Sequence, residues 1–139
     1  MPIDLTPSSR VRSISWWRLH DHTLLDFYAA LHRQNQASGE DWQPMVELIC
    51  HVRSMDGALR LFGFISQHRL YLTTASRYVD CAGHHSIFIA WEPRLKSYHL
   101  GYGSLDHGLG AVAEEEVHVL PETLAPALGP MLKRLLAVP

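Results

Sequence analysis

The residues best equipped for chemistry in this chain are its histidines, ten among 139 residues, and its two cysteines. Asp80-Cys81-Ala82-Gly83-His84-His85 sets a thiolate and an imidazole three residues apart, which lets both reach one zinc ion. Asp80 or the distant His107 could complete a tetrahedron. No second Cys/His pair stands at a recognised zinc spacing, so the plainer reading is a loop cysteine beside two surface histidines. Cys81 with His84, His85 or His107 could also act as nucleophile and base, with Asp106 or Asp80 orienting the imidazole. Such a triad is defined by geometry, and a chain this rich in histidine offers several by chance.

Three further motifs have ordinary explanations. His20-Asp21-His22 stands where the first helix should start, so Asp21 is a capping residue and the histidines face solvent. The glycine-rich stretch 101–110 lacks the P-loop pattern, and Gly108-Leu109-Gly110 lacks the strand-to-helix context of a dinucleotide site. It reads as a mobile loop. Glu114-Glu115-Glu116 reads as a solvated strand edge that discourages aggregation.

The elements that must position these residues follow from periodicity. Ser86-Ile87-Phe88-Ile89-Ala90-Trp91 is apolar on both faces of a strand and belongs near the middle of a sheet covered twice. Leu24, Phe27, Tyr28 and Leu31 follow Asp21 at helical spacing, and Gly39 ends that helix. From Met45 the pattern alternates, with Val46, Leu48, Cys50 and Val52 against Glu47, Ile49, His51 and Arg53, and predicts a strand. Asp56-Gly57 then predicts a hairpin in which Val52 faces Leu61, His51 faces Phe62 and Ile49 faces Phe64. A turn near Ser66-Gln67-His68 leads to a strand over 69–74. Pro93-Arg94-Leu95-Lys96 turns the central strand into another over 97–102, and a last strand spans 114–120 with Val117 and Val119 facing in. A poorly alternating stretch, 11–19, could add one more strand. Leu124, Leu128, Met131, Leu132 and Leu135 form one helical stripe, starting near Thr123 and kinked or restarted at Pro130.

The plan is α+β: an N-terminal helix, an antiparallel meander-like sheet of about five or six strands, and a kinked C-terminal helix packed on it, all in a single domain after an irregular lead-in over 1–10. In this plan Ile49, His51, Phe62 and Phe64 share a face that Tyr71, Thr73, His99 and His118 could join. That face lines a ligand pocket or partner interface, or is covered by a helix.

Net charge of −2 gives no basic footprint for nucleic acid. The start of the chain has no signal-peptide pattern, and no stretch approaches the roughly 20 apolar residues that span a bilayer. The expectation is a cytoplasmic protein with free thiols at Cys50 and Cys81. With no catalytic motif or cofactor fingerprint, the first functional expectation is a non-enzymatic module that binds a protein partner or itself, in a chaperone-, immunity- or regulator-like role. Trp16 and Trp42, exposed beside the first helix, would anchor the interface together with His51, Phe62, Phe64 and His99. The alternative is a small metal- or ligand-binding protein, or a hydrolase, with zinc on Cys81, His84, His85 and His107. The helix–sheet–helix order chooses between neither.

Overall fold

The structure, a computed structural model, describes residues 16–77, 83–105 and 111–137, with the backbone alone at 111–112. Its elements are β1 (Trp17–Arg18), α1 (His22–Asn35), α2 (Gln43–Arg53), β2 (Phe62–Ser66), β3 (Arg69–Thr73), β4 (His85–Glu92), β5 (Ser97–Leu105), β6 (Ala111–Val119) and α3 (Leu124–Ala137), with short 3₁₀ turns between several of them. The strands form a six-stranded sheet in chain order, antiparallel at every pairing. This is the α+β plan expected, a meander with the N-terminal and C-terminal helices packed on it. No helix among the described residues is long and apolar enough to cross a membrane.

β4 lies inside the sheet, apolar on both faces as its sequence requires. Ile87, Ile89 and Trp91 point into a core shared with Leu70, Leu72, Leu100 and the buried stripes of all three helices. Phe88 points the other way, into a smaller cluster with Phe64, Tyr71, Ala75 and Leu105 that contains no residue of the described helices. The two faces are therefore separate apolar environments.

The helices follow simple rules. α1 buries Leu24, Tyr28 and Leu31, then passes through a 3₁₀ turn (Gln36–Ser38) to Gly39, whose φ of 83° only glycine adopts cheaply. Asp21 does occupy the N-cap position, with extended backbone, but its side chain makes no capping bond. α3 buries Leu124, Leu128, Met131, Leu132 and Leu135, the whole expected stripe, and runs as one helix with Pro130 inside it. A proline there leaves a carbonyl one turn earlier without its helical donor, and the burial of five large side chains outweighs that cost.

Residues 43–53 correct the sequence reading. They form a helix, so no hairpin exists at Asp56-Gly57, and the pairings of Val52, His51 and Ile49 with Leu61, Phe62 and Phe64 do not occur. β2 pairs instead with β1 and β3. Met45, Leu48, Ile49 and Val52, at i, i+3, i+4 and i+7, are the residues α2 buries, while Cys50 is exposed. Pro44 stands in its first turn, and Asp41 Oδ1 accepts a bond from the Gln43 N–H at 3.0 Å. Trp91 Nε1 donates to the Asp41 carbonyl at 2.7 Å, and the Tyr98 hydroxyl donates to the Pro44 carbonyl at 2.8 Å, so two core aromatics of the sheet hold this start. Gly57, at φ 84°, turns the chain out of α2 towards β2.

A second correction concerns the glycine stretch. Gly101 and Gly103 are inside β5, which runs to Leu105, and only 106–110 lie outside the described residues.

Candidate functional site

Strand register decides which predicted residues meet. Counting alternate positions through the cross-strand partners puts Phe62, Phe64, Tyr71, Thr73, Phe88, His99 and His118 on the face opposite the helices. Ile49 and His51 leave that face with α2; His51 is exposed on the helix, beside Tyr98 and Leu124.

What the face carries is a ladder of rings, one from each strand or its flank. Trp16, next to β1, stacks on Phe64 at 4.7 Å between centroids, and Phe64 stacks on Tyr71 at 4.7 Å. Tyr71 meets Phe88 at 6.2 Å, Phe88 meets the edge of His99 at 5.0 Å, and His99 stacks on His118 at 4.2 Å and 8°. Gly101 makes the Phe88–His99 step possible, because a Cβ there would sit 1.9 Å from Phe88 Cε2.

The histidine end of the ladder is polar. His99 Nε2 lies 2.9 Å from Glu116 Oε1, and His118 Nδ1 lies 3.9 Å from Glu92 Oε1. His99 is well covered, with 17% of its side chain exposed, whereas His118 is 63% exposed. Two imidazoles between two carboxylates can share protons, form ion pairs when protonated, or hold a cation when neutral. The tight turn Pro93–Lys96 sets Glu92 opposite Ser97 and Ala90 opposite His99, so the sequence held the signal for this cluster once that turn was fixed.

The remaining expected residues are scattered. Cys81, Asp80, Asp106 and His107 lie outside the described residues. His85 belongs to the helix side of the sheet, stacked on Tyr102 at 5.4 Å with its Nε2 3.5 Å from Glu114 Oε2; His84 is half-buried next to it. Trp42 is not an exposed anchor: it is buried in the main core, with its indole N–H donating to Glu40 Oε1 at 3.1 Å. Trp16 is half-buried, its indole N–H bonded to the Ala75 carbonyl at 2.9 Å. Phe62 is half-buried under the Arg18 guanidinium. His20 is not solvent-facing either, since its Nδ1 is buried without a hydrogen-bond partner. The acidic run is fully engaged at the β6 edge: Glu114 with His85, Glu115 with Arg134 at 3.2 Å, and Glu116 with His99.

A pocket that sequence reasoning missed opens between α1 and the β2–β3 turn. It has a volume of about 440 Å³ and is lined by Trp17, Thr23, Phe27, Ile65, Gln67 and His68. Phe27, on the helical stripe yet 38% exposed, forms one wall. Gln67 and His68 both turn with positive φ, 53° and 66°, and the Tyr28 hydroxyl donates to the His68 carbonyl at 2.8 Å, which holds the turn against α1. Burial pushes the Tyr28 phenol far above its ordinary range, so it stays a donor.

Comparison with family models, with curated proteins and with solved structures gives no match for this chain.

Proposed function

We propose that this chain is a small, non-enzymatic recognition module of the cytoplasm that takes an apolar side chain of a protein partner into the pocket beside α1. The observation that carries the reading is the character of that pocket. Among its described lining residues there is no Asp, Glu, Lys or Arg, and two aromatic rings, Trp17 and Phe27, flank it. Such a wall offers apolar contact from Trp17, Phe27 and Ile65 and no permanently charged side chain, which favours an apolar group over a charged one. Its volume falls at the lower end of the range of ligand pockets, about 300–1,000 Å³, and suits a large apolar side chain. Partner surfaces are commonly anchored by one such side chain in a pocket of this kind. The β6 edge, by contrast, carries three exposed glutamates and a register shift opposite Tyr102/Gly103, features that disfavour strand-to-strand association.

The test is an NMR titration with capped apolar amino-acid amides, which mimic the anchoring residue. Saturable shifts at Thr23, Phe27, Ile65 and Gln67 are expected. A Thr23→Glu variant should abolish them without loss of Tm, because a carboxylate in the first turn of a helix is favourable to the fold. Shifts spread over the whole surface, or unchanged binding by Thr23→Glu, would refute the reading.

A further inference from the structure

We propose that Glu92, His99 and His118 form a binding site for a first-row divalent cation, zinc in particular, on the sheet face away from the helices. The proposal is independent of the apolar pocket and uses none of the histidines around Cys81.

Its basis is convergence. One ligand atom from each of Glu92, His99 and His118 lies within 4.8 Å of the others. The sheet enforces this arrangement. His99 and His118 are direct cross-strand partners, and Glu92 reaches them from β4, past Ala90, whose small side chain stands opposite His99 and leaves the space open. Ligand atoms on a tetrahedral zinc are about 3.3 Å apart, so the three must close by at most about 1.5 Å. Rotation of Glu92 and His118 can supply that movement, since both side chains are partly exposed, at 36% and 63%. His99 is the fixed member, held by the Phe88 ring on one side and by Glu116 Oε1 at 2.9 Å.

The donor set selects the ion. Two imidazoles and one carboxylate, without sulfur, suit zinc, nickel or copper(II), whereas magnesium and calcium demand shells of oxygen. A metal-bound imidazole ordinarily donates its second ring N–H to a carboxylate, and Glu116 stands in place to act as that positioning residue for His99. Three protein ligands leave a fourth position open to water or to a donor from a partner.

The experiment uses the tag-free full chain stripped with EDTA, titrated calorimetrically with zinc chloride, beside His118→Ala, Glu92→Gln and Cys81→Ser. His118 is exposed, so its removal should leave the Tm in EDTA unchanged and separate a lost ligand from a lost fold. The expected result is one zinc per chain, weakened at least about 10-fold by His118→Ala and by Glu92→Gln and unaffected by Cys81→Ser. Cobalt(II) gives a second readout: visible d–d bands without thiolate charge-transfer absorption. No stoichiometric zinc would overturn the proposal and leave the cluster as His–Glu pairs. Wild-type affinity in His118→Ala, or zinc lost in Cys81→Ser, would overturn it by placing the ion elsewhere.

Discussion

Adding one methyl group at Gly101 tests the packing of the sheet face that carries the ring ladder. An alanine Cβ there would stand 1.9 Å from Phe88 Cε2, 2.4 Å from Cζ and 2.6 Å from Cδ2. Carbon atoms rest about 3.5–4.0 Å apart, so the ring must retreat by nearly 2 Å. It has little room to do so: Tyr71 and His99 flank it, and the Arg69 guanidinium sits 5.0 Å from its centroid. The backbone at 101 is not the obstacle, because no positive φ occurs there. Overpacking costs about 1–3 kcal/mol, and complete expulsion of a buried phenylalanine approaches the about 3–5 kcal/mol of Phe→Ala. Gly101→Ala is therefore expected to destabilise the protein by about 2–4 kcal/mol.

The control is the double-mutant cycle with Phe88→Ala. Without the ring, alanine at 101 has space and lowers the entropy of the unfolded chain, so the second substitution should be neutral or stabilising by about 0.4–1 kcal/mol. The cost of Gly101→Ala thus vanishes or reverses with the background, a coupling of about 2–5 kcal/mol readable from four urea melts at constant m. An equal cost in both backgrounds would show that glycine is needed for its backbone, and the packing argument would be wrong.

Two further outcomes are expected, beyond the titrations of the apolar pocket and the zinc site. Burial pushes the phenols of Tyr28 and Tyr98 up, so above their ordinary value of 10.0 the unfolded chain loses protons that the native chain keeps. Their contribution is fully present below that value, and stability should fall above it by up to about 1.4 kcal/mol per pH unit for each phenol. Urea midpoints against alkaline pH measure the slope, Tyr28→Phe should remove its share, and an identical slope in that variant would contradict the assignment. Gly57→Ala and Gly39→Ala both force alanine to positive φ, costing about 1–2 kcal/mol. Only at Gly57 does the new Cβ meet Leu136 Cδ1, at 3.0 Å, so Gly57→Ala should have the lower Tm, and equal losses would exclude the contact as a cause.

Elements with one unambiguous period were legible in the sequence. The α3 stripe matches its buried residues one for one, and β4 could be read as an inner strand apolar on both faces because Ile87, Phe88 and Ile89 leave no polar face. Residues 45–52 satisfy both periods at once: 46, 48, 50 and 52 alternate, while 45, 48, 49 and 52 fall on a helical stripe. Periodicity does not arbitrate between them, but the residues before them do. Asp41-Trp42-Gln43-Pro44 places an acceptor ahead of the first helical N–H groups and a proline where its missing N–H costs nothing, which is a helix start. Composition alone makes Gly101 and Gly103 look flexible, yet glycine inside a strand also marks a close approach by another group, here the Phe88 ring at Gly101.

The same distinction explains why the histidine cluster was half legible and the apolar pocket was not. His99 and His118 could be placed on one face only on the condition that the meander continues in phase, because parity fixes side-chain direction within a strand and register fixes it between strands. Glu92 joins them only through the length of the Pro93–Lys96 turn: one residue more or fewer would shift β5 against β4 by a step and send His99 to the helix side, among Trp91 and Tyr98. The pocket has no such local rule. Its walls come from β1, the first turns of α1 and the end of β2 with the β2–β3 turn, which are 40 or more residues apart in the chain at their widest. They are brought together by the Tyr28 hydroxyl on the His68 carbonyl and by the pairing of Trp17 with Gly63. A strand register can be inferred from a turn, whereas a pocket between layers exists only once the layers have packed.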